Sequence, residues 1–232
     1  MNISGKTALV TGANRGLGRQ LAGQLRDRGA HVYAAARDPQ AVDLTGVTPI
    51  ALDITDPASV AAAAQTARDV AILVNNAGSS TGSSLLTGDL ADIRLELDTH
   101  FFGTLAVTRA FAPHLAGQRS SAVLNVLSVL SWLSMPRSGA YCAAKSAEWS
   151  LTNALRQELA AQGTRVSALH VGWMDTDMIR HLDVPKTDPA VIAKLAIDGI
   201  EAGDAEIIAD DTSRRVLAGL SGGVPALYPE FA

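Results

Sequence analysis

Cysteine, aromatic rings, basic clusters and long apolar runs are all scarce in this chain, and each scarcity removes a class of function. The single cysteine of the 232 residues, Cys142, leaves no internal disulfide and suits a reducing compartment. Aromatic residues make up 4%, the net charge is -4 and the isoelectric point is near 5.7. Without a basic field, or a Lys/Arg cluster interleaved with aromatics, nucleic acid is not an expected partner. No apolar run approaches the roughly 20 residues that span a bilayer. The opening Met1-Asn2-Ile3-Ser4-Gly5-Lys6 leads into a strand pattern with no charged-then-apolar leader. A soluble, cytoplasmic protein with no membrane partner is expected. The five histidines, His31, His100, His114, His170 and His181, are scattered. None is expected to pair with a carboxylate or thiol at helical spacing, so no metal is expected.

What is present is an apolar chain, 47% hydrophobic, long enough to bury one sizeable α/β core, and a single domain over residues 1–232 is expected. Strand-like runs alternate with helix-like segments, which argues for parallel βαβ units. The strands are read at 7–10, 31–36, 47–52, 71–74, 122–127, 165–170 and 206–209. Between them fall an amphipathic helix carrying Leu17, Leu21 and Leu25, an alanine-rich helix over 58–68, and one long helix or two over 89–115. Further helices are read over 138–162, from Asp188 to about Ala202, and near 212–220.

The first strand runs into Thr11-Gly12-Ala13-Asn14-Arg15-Gly16-Leu17-Gly18 and then a helix. Glycines in that context allow a tight turn and a close approach to a pyrophosphate, while the helix N-terminus offers free N–H groups. The second strand ends at Ala36-Arg37, where dinucleotide folds that take NAD place an acid on the ribose. An arginine there, with Arg15 in the glycine loop, favours the 2′-phosphate of NADP. Asp53 sits at the carboxyl edge of the third strand, either bonding the adenine amine or only shaping a turn in which Asp56 caps the next helix and Pro57 starts it. Asn75-Asn76-Ala77-Gly78 breaks the fourth strand with small residues. Ser128 ends the fifth, with Ser131 and Ser134 following, and chemistry alone does not choose among them. Tyr141 and Lys145 then lie at i and i+4, one turn apart on a helix face. A cation beside a phenol stabilises the phenolate, making the phenol a usable proton donor toward a carbonyl oxygen.

Together these motifs resemble the short-chain dehydrogenase/reductase family over nearly the full chain. The resemblance implies a single-domain Rossmann fold, a doubly wound seven-stranded parallel sheet with helices on both faces. It also implies hydride transfer between NADP(H) and a carbonyl or alcohol carbon. By position, Tyr141 is then the general acid, Lys145 lowers its pKa and holds the nicotinamide ribose, and Ser128 binds the substrate oxygen. Gly12, Asn14, Arg15, Gly16, Leu17 and Gly18 would line the pyrophosphate and adenosine side. Asp53 and Ile54 would meet the adenine, and Asn75, Ala77 and Gly78 the cofactor's middle. Gly172 and Thr176 would follow it on the loop after the sixth strand, and Arg15 with Arg37 fits the pattern of NADP users.

Two positions depart from the family. His100, three residues before Gly103, stands where many members place an asparagine that helps hold a proton-relay water, and imidazole is a candidate replacement because it titrates near neutral pH. Val171-Gly172 replaces the usual Pro-Gly. Leu130, Trp132, Leu133, Met135, Trp173 and Met178 suggest an apolar pocket under a short lid. The expected activity is NADPH-dependent reduction of a small-molecule ketone or aldehyde. The alternatives are reduction of a 3-oxoacyl thioester, or a silent NADP-binding redox sensor. A homodimer or tetramer built through the long helices is expected, with the tail over 221–232 docking on a neighbouring subunit.

Overall fold

In the computed structural model, residues 1–180 and 182–231 are described; His181 and Ala232 lie outside that range. The strands are β1 (Thr7–Thr11), β2 (His31–Ala36), β3 (Thr48–Ala51), β4 (Ile72–Asn75), β5 (Ser121–Val126), β6 (Thr164–His170) and β7 (Glu206–Ile208). They form one parallel sheet in the order β3-β2-β1-β4-β5-β6-β7. Covered on both faces, β1, β4 and β5 are buried along their whole length, which is why they read as continuous apolar runs rather than as alternation. Pro49 is tolerated in β3 because that strand is an edge.

The helices are α1 (Gly16–Asp27), α2 (Pro57–Thr66), α3 (Leu90–Leu97), α4 (Thr104–Ala116), α5 (Gly139–Glu158), α6 (Pro189–Ala202), α7 (Asp211–Gly219) and α8 (Gly223–Leu227). Leu17, Leu21 and Leu25 of α1 pack with Ile192, Ile197 and Ile200 of α6 on one face. On the other face α2, α4 and α5 contribute Val60, Phe111, Leu115 and Leu155 to a second core. Asp56 caps α2 by accepting from Ala58 N at 2.9 Å, and Asp188 caps α6 by accepting from Ala190 N at 2.8 Å, each followed by a proline at the first helical position.

The stretch read as one helix or two is a single rod with a fault in it. α3 and α4 are joined without a break by a π-helical segment, Asp98–Gly103. Such widened turns concentrate at functional sites, and this one carries His100. The tail folds back on its own chain, with Ser134 N donating to Tyr228 Oη at 2.6 Å. Among the described residues no helix is long and apolar enough to cross a membrane, and no group of His, Cys, Asp and Glu could hold a metal ion.

The sheet order reverses between β1 and β4, so the crevice expected of an open α/β sheet lies at their carboxyl ends. Every motif described above ends there.

Candidate active site

The glycine loop is held shut against the turn after β4. Thr11 Oγ1 accepts from Asn76 N and Ala77 N at 2.9 Å each, and Asn76 Nδ2 donates to Thr11 O at 2.8 Å and Gly12 O at 3.2 Å. Gly12 has φ +65°, and a Cβ on it would lie 3.0 Å from Ala77 Cα; one on Gly18 would lie 2.2 Å from Gly12 O. Side chains are therefore excluded from the cradle. Arg15, the cap residue of α1, makes no side-chain cap bond, so the first-turn N–H groups carry their partial positive charge unshielded. An uncapped helix start behind a side-chain-free turn fits a pyrophosphate.

The loop after β6 lies over this cradle. The Thr176 methyl comes within 3.4 Å of where a Gly16 Cβ would sit, and Arg15 Nη1 is 3.8 Å from Asp177 Oδ2. Arg15 and Arg37 are both exposed, as phosphate-binding arginines must be. Asp53 shapes its turn, its Oδ1 accepting from Thr55 N at 2.9 Å and Thr55 Oγ1 at 2.7 Å. The Thr55 hydroxyl and, more weakly, the Arg37 charge hold its carboxyl below the usual range.

Four expected cofactor contacts are narrowed by the geometry. The side chains of Leu17 and Ile54 belong to the two cores, leaving only their backbone for a ligand. Asn75 turns inward, its Nδ2 donating to Asn125 Oδ1 at 2.8 Å and Thr108 Oγ1 at 3.0 Å, because β4 is central and its side chains face helices on both sides. The amide of Gly172 is taken by Asp210 Oδ2 at 2.5 Å. Asn14, Ala77 and Gly78 stay at the accessible edge. The apolar pocket also shrinks: Trp132 stacks on His170 with centroids 3.8 Å apart and Leu130 is buried beside Cys142, while Leu133, Met135, Trp173 and Met178 keep exposed surface.

Three serines compete at the end of β5, and their bonding separates them. Ser128 caps a single 3-10 turn, its Oγ accepting from Leu130 N at 3.1 Å. Ser131 is consumed by that turn, its Oγ accepting from Ser128 N at 3.3 Å, and Ser134 is exposed. Of the three, Ser128 is the serine that acts on the Tyr141 phenol, drawing its pKa down. Burial holds the Tyr141 phenol above its ordinary range, against the opposing pull of Lys145 and Ser128; Glu148 and Glu96 push it further up. Lys145 thus acts in the expected direction but is outweighed. Lys145 Nζ lies 5.8 Å from the Tyr141 ring centroid. Burial also opposes the Lys145 charge, but Glu148 and Tyr141 outweigh it and raise its pKa. Neighbouring Cys142 is fully buried against Val129 and Leu130, and burial pushes its thiol up.

Two buried carboxylates complete the site, and the sequence reading missed both. Glu148 Oε2 lies 2.7 Å from Lys145 Nζ, and Glu148 Oε1 accepts from Thr104 Oγ1 at 3.0 Å. Glu96, four residues before His100, has Oε2 at 3.3 Å from His100 Nε2 and accepts from Ser79 Oγ at 2.8 Å and from Thr81 N. This corrects the expectation that no histidine pairs with a carboxylate at helical spacing. The signals were on the page: Glu96-x-x-x-His100 at i, i+4, and Lys145-x-x-Glu148 at i, i+3.

This fold and this site define a nicotinamide-dependent oxidoreductase. The family of short chain dehydrogenases matches residues 6–186, and the chain belongs to it. A short chain dehydrogenase from Burkholderia cenocepacia, solved in complex with NADP, superposes with a TM-score of 0.94 at 35% identity, covering 99% of this chain and 98% of that one. Oxidoreductase UcpA of Escherichia coli K12 is 31% identical over 91% of this chain and 90% of its own length. The 3-oxoacyl-[acyl-carrier-protein] reductase FabG of Vibrio cholerae is 32% identical over 79% of each chain.

Proposed function

We propose that this chain reduces a ketone or aldehyde to an alcohol, reversibly, with NADPH. The observation that carries this reading is the meeting of Ser128, Tyr141 and Lys145 beside an uncapped helix N-terminus in a glycine cradle. The cofactor would supply the hydride; the rest is the work of the chain. Gly12, Gly16 and Gly18 clear room for the pyrophosphate, and Arg15 and Arg37 offer the charge a 2′-phosphate needs. The NADP in the 35%-identical Burkholderia structure supports that preference. Ser128 would orient the carbonyl oxygen. As the carbonyl carbon gains its hydride, the oxygen takes the proton of Tyr141. Lys145 has three N–H donors, of which Val126 O at 2.8 Å and Glu148 use two, leaving one for the cofactor.

A cytoplasmic homo-oligomer is part of the same reading, supported by Leu95 and Phe102 left exposed on the α3–α4 rod. The kinship to FabG favours a second reading, a 3-oxoacyl thioester as substrate. NADPH oxidation against a panel of ketones, aldehydes and 3-oxoacyl thioesters, with NADH alongside, separates the two. Tyr141→Phe is expected to lower turnover by at least about 100-fold without losing NADPH binding. Tight NADPH binding with no turnover on the panel would overturn the reductase and leave a redox sensor.

A further inference from the structure

We propose that His170 is a positioning residue for Ser128: pinned by Glu206, its ring braces the turn from which that serine meets the substrate oxygen. This rests on the reductase reading above.

The turn needs a brace because of its size. Val129–Ser131 is a single 3-10 turn, with poorer hydrogen-bond geometry than an α-helix and no further turn to support it, and Ser128 stands at its start. Its entry is fixed by the sheet, which keeps pairing past the end of β5: Leu127 N donates to Leu169 O at 2.8 Å and Val129 N to Val171 O at 2.9 Å. From α5, Ser146 Oγ donates to Ser131 O at 2.9 Å. Its exit is Trp132, whose backbone N–H closes the turn onto Val129 O at 3.1 Å. The indole is buried, and its Nε1 has no hydrogen-bond partner among the described residues. No polar contact orients it, so its ring neighbours must. Trp149 of α5 meets it edge-on with centroids 6.3 Å apart, whereas the His170 ring lies flat on it at 3.8 Å and 16°.

His170 is the last residue of β6 and is fully buried. A phenyl ring could stack there with no polar atom to satisfy, so the choice of imidazole calls for a reason. Nε2 lies 2.8 Å from Glu206 Oε2 on the edge strand β7, and a carboxylate only accepts, so Nε2 donates. That bond stops the ring from rotating about Cβ–Cγ. Arg156 holds the carboxylate in turn, its Nη2 donating to Glu206 Oε1 at 3.2 Å and Ala205 O at 2.9 Å, and its Nε to Val166 O at 3.1 Å. With the imidazole plane fixed, the indole plane follows. The ring's Nδ1 edge faces the start of the same turn, 3.5 Å from Ser128 O. His170 therefore meets the turn at both ends. A hydroxyl that orients a carbonyl oxygen acts through geometry held to fractions of an ångström, and a turn free to rock would lose it.

Variants assayed with NADPH, and with the panel carbonyl that the unaltered protein reduces fastest, test the assignment. His170→Leu removes both ring and bond; Glu206→Ala removes only the pin, at a side chain 36% exposed. His170→Leu is expected to lose about tenfold or more in kcat/KM and Glu206→Ala about threefold, with NADPH affinity by fluorescence titration held in both. Ser128→Ala alone should lose about 100-fold or more. The deciding measurement is the double-mutant cycle. On the Ser128→Ala background neither variant should cost more than about twofold further, because a brace does nothing once the hydroxyl it aims is gone. Equal losses on both backgrounds would mean that His170 serves the fold at large, and unchanged kcat/KM in either single variant would remove the brace or its pin; each overturns the proposal. Should His170→Leu fail to bind NADPH, the Glu206→Ala arm of the cycle decides alone. The brace is also read without turnover, from the near-ultraviolet circular dichroism of Trp132, taken as the difference from Trp132→Phe. That band should weaken in His170→Leu and in Glu206→Ala, and its persistence in both would sink the brace. If the band weakens as expected while the unaltered protein reduces nothing on the panel, the reductase reading is what has failed.

Discussion

Glu96 shows how much one buried side chain can depend on its neighbours. Burial alone would raise its pKa, yet bonds from His100, Thr81 N and Ser79 bring it down to about 2. A carboxylate with a depressed folded pKa stabilises the fold above its unfolded value, and that stability is lost as pH falls, because the unfolded chain then binds more protons. The window here runs from about 4.5 down to about 2, and the contribution is at most roughly 3 kcal/mol. Glu96→Gln should therefore be less stable than the unaltered protein in urea at pH 7, and the gap should narrow steadily below pH 4.5. A gap independent of pH would mean that the loss is one of packing.

At the scale of elements, most of the architecture could be read from the sequence, because each strand is a short apolar run bounded by turn residues. Proline and aspartate mark the starts of α2 and α6, and the strand boundaries shift by only a residue or so. The site was legible where chemistry and motif coincide, at Tyr141, Lys145, Ser128 and the glycine cradle. It was not legible where side chains of opposite habit were buried. Glu96 and Glu148 look like solvent-facing helix residues until α3 and α5 are packed together, and the widened turn that aims His100 and Thr104 at one carboxylate leaves no periodic signature. That the Asn75 side chain turns into the core was not legible either, because a turn composition says nothing of which way a side chain points. The cradle itself gives the sharpest prediction. A Cβ on Gly18 meets the backbone oxygen of Gly12, which cannot retreat while Asn76 holds it. Gly18→Ala should lower thermal stability by roughly 1–3 kcal/mol and abolish NADPH binding, read by calorimetry and fluorescence titration.

Across the whole molecule, the sheet sets its working groups at one edge and leaves the other plain. A depression of about 400 Å³ at the amino ends of β6 and β7, lined by Arg156, Gly163, Thr164, Arg165, Ser167 and Gly203, holds no carboxylate, thiol or phenol. Concavity alone would have pointed to the wrong end of the protein. The lone thiol sits at the working end, sealed beneath the phenol by Val129 and Leu130. That burial turns Cys142 into a clock. A thiol reagent in solution can reach it only when the start of α5 opens, so the rate of modification under native conditions measures the free energy of that local opening. A ligand that binds only the closed form must slow the clock by mass action. Saturating NADPH is expected to retard labelling, which would report occupancy of the site before any substrate is known.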